Sequence, residues 1–468
     1  MLVKGSKNMS KRSFDKVLHK TSIIKKLSMS LLFVVASSAI ADEYHHNNLL
    51  IGKNAVGMGG AFTGVADDLS AIHYNPAGLA SIKDGNMASI NTFAWEETVF
   101  EAVYGDGSDF TRSAFSVVPG FFGFKKQFRD WHYGLAFVVN DFSQERSSDV
   151  IEYNTIDIAT GIPLNVKEFI NIDIDNSAYQ LYFAGAKQLT TEFSIGLSLG
   201  IEYRTFQTDQ SSGTQISLPI SASDSINTGA QATARFNDIN IVTIPSISAL
   251  YKTNKVSFGA KLNVPMVINR DYEMVSTAFF AGVDPSLPGV TPALLVPEEA
   301  CCKQKLPINI ALGVAREFGE WQFSVDVQHH LSTNDGVERL EGFPVPITRD
   351  FKSVTNFALG VSKKLGTESQ FRVGIFTDKS NIAIDPAIDF QRVEDVDLLG
   401  ISASIDTNLF DIPVTFGGYA KFGSGQVRVA DVRAVEQITG IDLYPTNNEF
   451  DVSDMQKKVL LFFFSLNF

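Results

Sequence analysis

The sequence predicts an all-β protein, an antiparallel transmembrane β-barrel of about 14 strands with a small N-terminal helical hatch plugging its lumen. Three observations predict it. An export signal precedes a chain with no long apolar segment, period-2 alternation recurs from residue 86 to residue 468, and the connections are short and long by turns.

The export signal comes first. Residues 1–26 carry Lys4, Lys7, Lys11, Arg12, Lys16, Lys20, Lys25 and Lys26 against the single acid Asp15. An apolar run from Leu27 to Ala36 follows, and Ser37-Ser38-Ala39-Ile40-Ala41 places small residues where a signal peptidase reads. This pattern marks residues 1–41 as a secretory signal peptide cleaved after Ala41. Its apolar run is too short to span a bilayer as a helix. The basic region is long, which leaves initiation at Met9 or Met29 open. Cleavage removes eight positive charges and one negative from a net −13, leaving −20. A chain this acidic lacks the clustered Lys and Arg that nucleic acid requires. A soluble multidomain protein and an outer-membrane barrel both remain compatible with 44% hydrophobic residues.

The alternation separates them. Around Phe193 the odd positions read Phe193, Ile195, Leu197, Leu199, Ile201 and Tyr203, and the even ones Ser194, Gly196, Ser198, Gly200, Glu202 and Arg204. Ile308, Ile310, Leu312 and Val314 oppose Asn309, Ala311, Gly313 and Ala315, and Trp321, Phe323, Val325 and Val327 oppose Gln322, Ser324, Asp326 and Gln328. Strict alternation means a strand with one apolar face. In a sandwich those faces meet each other; in a barrel they meet lipid and the small polar faces line a lumen.

Such segments start near residues 86, 113, 131, 178, 193, 241, 256, 307, 321, 354, 371, 397, 413 and 455. Short connections are expected at 125–130, 190–192, 252–255, 317–320, 366–370 and 407–412, and long ones at 95–112, 141–177, 205–240, 265–306, 332–353, 377–396 and 424–454. Short periplasmic turns alternating with long outer loops are a barrel's pattern, which a soluble sandwich has no cause to keep. Counting back from Phe468 by twos gives Leu466, Phe464, Phe462 and Leu460. This closing strand is expected to pair with the one beginning near Asn86, so the barrel occupies residues 86–468.

Residues 42–85 do not alternate and form the expected hatch. Gly57, Gly59 and Gly60 permit close backbone packing. Asn75-Pro76 reads as a helix start, with Asn as N-cap and Pro in the first turn. Asp67-Asp68 reads as a turn or helix-start feature, and no metal site is expected. The glycines lack the strand–loop–helix setting and following Lys of a phosphate loop.

Here the chain resembles a known family. Gly57-Met58-Gly59-Gly60-Ala61-Phe62-Thr63-Gly64, Ala66-Asp67-Asp68 and Asn75-Pro76-Ala77-Gly78-Leu79-Ala80 resemble the N-terminal hatch of the long-chain fatty acid transporter family of outer-membrane proteins, which includes aromatic-hydrocarbon porins. Leu306-Pro307, Arg372-Val373-Gly374-Ile375, Asp378, Ser380 and the terminal Phe468 agree in order. The resemblance covers essentially residues 42–468 and implies a fourteen-stranded barrel in a Gram-negative-type outer membrane. It implies passive uptake of hydrophobic small molecules (fatty acids or hydrocarbons) through an outer groove, a lumen site and a hatch or strand-three movement that lets the ligand leave. Gly57, Gly59, Phe62, Asp67, Asp68, Asn75 and Pro76 become hatch or gate residues, and Phe468 a signal for the barrel-assembly machinery. Better-known members carry Pro where this chain has Asn381, which leaves the subfamily and ligand open.

The outer segment 265–306 carries Phe279, Phe280, Leu294 and Leu295 among many apolar residues, interrupted by Pro285, Pro288, Pro292 and Pro297. An exposed segment this greasy either packs on itself or captures a hydrophobic ligand. Cys301-Cys302 are adjacent, which permits a strained vicinal disulfide, a metal-binding pair, two thiols or a contact to another chain. Gly134 is the one residue of strand three suited to a bulge. An outer-membrane lipid hydrolase is the alternative from another class, with His329-His330 near Asp326, but no nucleophile-elbow motif accompanies them. A scaffold or secretion-partner barrel is the third. No cofactor and no catalytic residue is expected; the partners expected are the ligand, outer-membrane lipids and the assembly machinery.

Overall fold

The computed structural model describes residues 45–467 apart from 105, 158–160, 220–224, 282–292, 296–304, 339–346, 367–368, 383–393, 410–411 and 429–451. The signal-peptide expectation, Cys301-Cys302 and Phe468 lie outside the described residues.

The wall is built in chain order from β1 (Gly85–Phe100), β2 (Phe110–Phe128), β3 (Trp131–Ile156), β4 (Pro163–Gln188), β5 (Phe193–Pro219), β6 (Ser225–Lys252) and β7 (Val256–Asn263). After Pro265 the chain continues as β8 (Met266–Ala281) and β9 (Ala293–Leu295), which extend only the outer part of the sheet. Then come β10 (Asn309–Phe318), β11 (Trp321–His330), a small outer hairpin of β12 (Thr333–Glu338) and β13 (Ile347–Phe351), β14 (Val354–Leu365), β15 (Ser369–Asp378), β16 (Glu394–Leu409), β17 (Ile412–Arg428) and β18 (Val452–Asn467). Setting aside β8, β9 and the hairpin leaves 14 antiparallel staves. Closure runs through β1 and β18, from Met87↔Asn467 to Phe100↔Met455. In hydrocarbon no water can satisfy a free strand edge, so this last ladder is what makes the sheet compatible with a membrane.

Side chains follow the alternation. On β5 Leu197, Leu199, Ile201 and Tyr203 are exposed on the outside, while Gly196, Ser198, Gly200 and Glu202 are turned inward and buried. The same holds for Leu312 and Val314 on β10, Phe323 and Val325 on β11, and Phe462 on β18. A closed sheet with a continuous apolar exterior is the architecture of an outer-membrane barrel.

The wall is not of even height. β3 and β4 have 26 residues each, β5 has 27 and β6 has 28, whereas β7 has 8, β10, β11 and β15 have 10, and β14 has 12. Crossing a bilayer takes only about 9–11 residues, so β3–β6 continue well outside it. The stretches 141–177 and 205–240, expected as loops, are therefore hairpins: β3 pairs with β4 out to Ile156↔Pro163, and β5 with β6 out to Pro219↔Ser225. Above the membrane their hydropathy inverts. Ile170, Ile172 and Ile174 point inward and join a core with Phe100, Phe110, Phe206 and Phe236, while Asp173 and Asp175 point outward. Water on the outer face imposes the pattern of a soluble sheet there.

Candidate functional site

Residues 45–84 lie inside the lumen as α1 (Lys53–Gly57), α2 (Ala71–Tyr74), the 3₁₀ turn Pro76–Ser81 and connecting bends. Too short to be stable alone, these pieces hold their shape through the wall and each other. Asn75 caps the 3₁₀ turn by accepting from Ala77 N at 3.2 Å, with Pro76 in its first turn, and its Nδ2 donates to Thr63 O at 2.8 Å and Ala249 O at 3.1 Å. Asp68 accepts from Ser70 N at 2.8 Å, from the Ser70 hydroxyl and from Asn54 N, while Asp67 accepts from Asn54 Nδ2 at 3.0 Å. Burial, with Asp67 beside it, raises the Asp68 carboxyl above its usual range. Phe62 is fully buried and meets the Tyr74 ring edge-on at 5.6 Å.

The wall receives this plug on a row of small residues. Gly259 pairs with Gly313, and Gly374 pairs with both Gly360 and Ser402. A Cβ on Gly259 would stand 1.9 Å from Thr63 O, and one on Gly374 2.2 Å from Gly59 N. Gly57 lies against Ser404 and accepts at its carbonyl oxygen from the Ser402 hydroxyl at 3.1 Å, and Gly59 takes φ +64°. Backbone contact of this kind leaves no room for any side chain. Gly134 serves the same end: a Cβ there would lie 2.8 Å from Ile72, so it is a packing position and not the bulge.

Buried polar side chains pin the plug. Asp326 of β11 accepts from Phe62 N at 2.9 Å and Thr63 N at 2.6 Å. Lys421 of β17 donates to Asp378 at 3.1 Å and to the carbonyls of Asn47 and Asn48 at 3.3 Å each. Asn47 N donates to Asp378 at 3.0 Å, and Asn48 Nδ2 to Asp141 of β3 at 3.0 Å. The strap 47–49 is thus fastened on two sides.

Above the plug lies a cavity of about 210 Å³, lined by plug residues His45, His46, Leu49, Thr63 and His73 and by residues from β3 to β7, β10 and β11. His46 stacks on His330 with ring centroids 3.5 Å apart and accepts from Asn381 Nδ2 at 2.9 Å. Where the family resemblance would place a Pro, Asn381 therefore orients a cavity histidine. Burial holds both His46 and His73 down to about 3, so both imidazoles are neutral at neutral pH. Lys261, Tyr182, Gln180, Asn240 and Arg204 also face this space, and the sequence reading singled out none of them. They come from four strands with no local motif, and the available signal was an ionisable residue at an inward strand position.

The ladder between two wall strands is interrupted. β2 and β3 are laddered from Phe128↔Trp131 to Phe121↔Val138 and again at Ala114↔Glu145, with no pairing in between among the described residues. The neighbouring ladders are irregular there too: β1 shifts register between Asn91 and Ala94 against β2, and β3 between Val139 and Asp141 against β4. The bulge at Asn140 switches the inward set of β3 from Ala136 and Val138 to Asp141, Ser143 and Glu145. A one-residue slip exchanges the two faces of a strand. A second cavity of about 30 Å³, lined by Asn48, Leu49, Ser116, Asp141 and Ser143, lies beside the interrupted ladder. The strap 47–49 borders both cavities.

Of the expected capture residues, Phe279 and Phe280 lie on β8, paired with Gln231 and Ala230, and Leu294 and Leu295 on β9, paired with Val275 and Met274. The backbone there is strand, not loop. His329 Nδ1 lies 2.9 Å from Thr355 Oγ1, and His330 Nε2 accepts from Asn309 Nδ2 at 2.8 Å.

With this geometry in place, the chain was compared with solved structures. The TodX deltaS2S3 mutant monoaromatic hydrocarbon channel matches with a TM-score of 0.57 at 15% identity, over 89% of this chain and 99% of that one. A Pseudomonas aeruginosa FadL homologue gives 0.54 at 12% identity, over 89% and 98%. The Ralstonia pickettii toluene transporter TbuX gives 0.52 at 10%, over 90% and 99%. The fold is theirs. No family model matches the sequence, and no curated protein matches it. Common fold does not by itself carry cargo or mechanism.

Proposed function

We propose that this chain is an outer-membrane channel of the long-chain fatty acid transporter type, for passive uptake of hydrophobic compounds such as fatty acids or hydrocarbons. The observation that carries the reading is the coincidence of a lumen cavity with a break in the wall, above a plug seated by backbone contact. A general porin needs an open lumen, whereas here the plug backbone occupies the space between facing strands. A ligand entering from outside meets β8 and β9, which carry the apolar residues Phe279, Phe280, Leu294 and Leu295 in sequence, and then the cavity. Its way out is past the strap 47–49 and sideways between β2 and β3 into the membrane. Gly57, Gly59, Phe62, Asp67, Asp68, Asn75 and Pro76 keep the rest of the hatch in place while the strap yields. No catalytic step enters this account.

Uptake of labelled toluene and oleate by cells expressing the chain tests the reading. A saturable gain over cells lacking it, with no gain for a hydrophilic solute such as glucose, is expected. Equal passage of glucose would replace the reading with a general porin.

A further inference from the structure

The cavity's lining is more polar than an uncharged cargo requires. Lys261 of β7 is 5% exposed, donates to the backbone oxygen of His73 and lies 6.0 Å from the Tyr182 ring. Among the described residues no carboxylate forms an ion pair with it. Glu202, the acid on the same cavity, is engaged with Gln180 Nε2 at 2.6 Å and Arg204 at 3.1 Å. Buried ammonium groups are ordinarily paired, because an unpaired buried charge is costly. The neutral imidazoles of His46 and His73 supply no negative charge either.

Other groups on the cavity are unsatisfied as well. His330 accepts at Nε2, which leaves its proton on Nδ1, and Nδ1 has no partner in the protein. The space therefore offers one lysine without an acid partner and one unused donor, together with the unpartnered amide oxygens of Gln180, Asn240, Asn263 and Asn381, beside the aromatic surfaces of Tyr74 and Tyr182. A cavity of about 150 Å³ accepts benzene, so 210 Å³ is enough for one ring and a short substituent.

We propose that the lumen cavity binds a single-ring organic monocarboxylate, its carboxylate on Lys261 Nζ and its ring against Tyr182. This rests on the uptake-channel reading and narrows its cargo from hydrocarbons and long chains to small aromatic acids.

The test uses the folded protein in detergent and compares benzoate with benzamide, toluene and oleate by calorimetric titration. Benzoate is expected to bind saturably and at least roughly tenfold more tightly than benzamide, which has the same shape without the charge. In Lys261→Met that preference is expected to vanish, and in Lys261→Arg to persist. Should Lys261→Met fail to fold, the benzoate-to-benzamide ratio of the unmodified protein decides alone. Benzamide or toluene binding as tightly as benzoate overturns the proposal and leaves the uptake channel standing. Oleate binding with no benzoate binding does the same. Absence of binding by all four overturns the proposal and the uptake reading together.

Discussion

The tall wall of β3–β6 and the short wall of β7, β10, β11, β14 and β15 enclose one lumen under different rules. On β10 the pattern never changes: Leu312 and Val314 face lipid, and Ala311, Gly313 and Ala315 face the plug. On β4 it changes midway. Leu181 and Phe183 face outward in the membrane, but higher up Ile170, Ile172 and Ile174 face inward and Asp173 and Asp175 outward. One strand thus serves as a membrane stave below and as part of a soluble sheet above. The mouth is consequently lower on the short side, where β7, β10 and β11 line the cavity, and the break in the wall lies beside the tall side at β2–β3. On the proposed route, entry and exit fall on different walls, with the plug's strap between them.

The largest effect is expected from the short wall's glycines. Gly259→Leu has no space beside Thr63 O, so the plug should fail to seat while the barrel still closes. Planar-bilayer recording should then show open-channel conductance where the unmodified protein is silent. Gly185→Leu, on the lipid face of the tall wall, should remain silent. Conductance from both would mean that the glycine row does not seat the plug.

Next comes the strap. Lys421→Met leaves Asp378 buried without its cation, an expected loss of about 3–5 kcal/mol. It should appear as faster proteolysis around residues 47–49 and as a lower unfolding midpoint, and an unchanged midpoint would remove Lys421 from the account.

The inversion itself is tested by Ile172→Ala. It should cost roughly 2–5 kcal/mol of local stability in the outer sheet, visible as hydrogen exchange in β3–β6 with the membrane part protected. The matching change Leu312→Ala should leave exchange nearly unaltered, since lipid fills the space. Equal responses would place both residues in the same environment.

The smallest effect is a pH dependence. Burial depresses His46 and His73 from 6.5 to about 3. An unseated plug therefore binds protons that the seated plug refuses between those values, so stability is complete above pH 6.5 and falls as the pH drops towards 3. Plug proteolysis should accelerate across that window, and His46→Asn should flatten the curve. A profile indifferent to pH would mean that the His46–His330 stack opens to water.

Much of the barrel was legible in the sequence because lipid enforces alternation strand by strand. Starts expected near residues 131, 193, 256, 321 and 354 fall on the observed first residues of β3, β5, β7, β11 and β14. The outer hairpins were read as loops although Ile170 to Asp175 alternates strictly, because the apolar set there faces the opposite way. Asn75-Pro76 was legible as a cap since capping is local. Lys261 and the break were not. The cavity gathers single residues from many strands, and a missing ladder between β2 and β3 leaves no mark except the failure of alternation at Phe137-Val138-Val139.

The central claim is that ligand leaves between β2 and β3. The surviving register would set Ser116 opposite Ser143, and both face inward beside the small cavity. Ser116→Cys with Ser143→Cys, in a chain whose Cys301 and Cys302 are serine, allows a thiol-cleavable bismaleimide to tie the two strands together. Uptake of labelled benzoate and toluene should stop on cross-linking and return when reductant cuts the tether. Uptake that continues through the tied wall would contradict the lateral route and send the ligand past the plug instead.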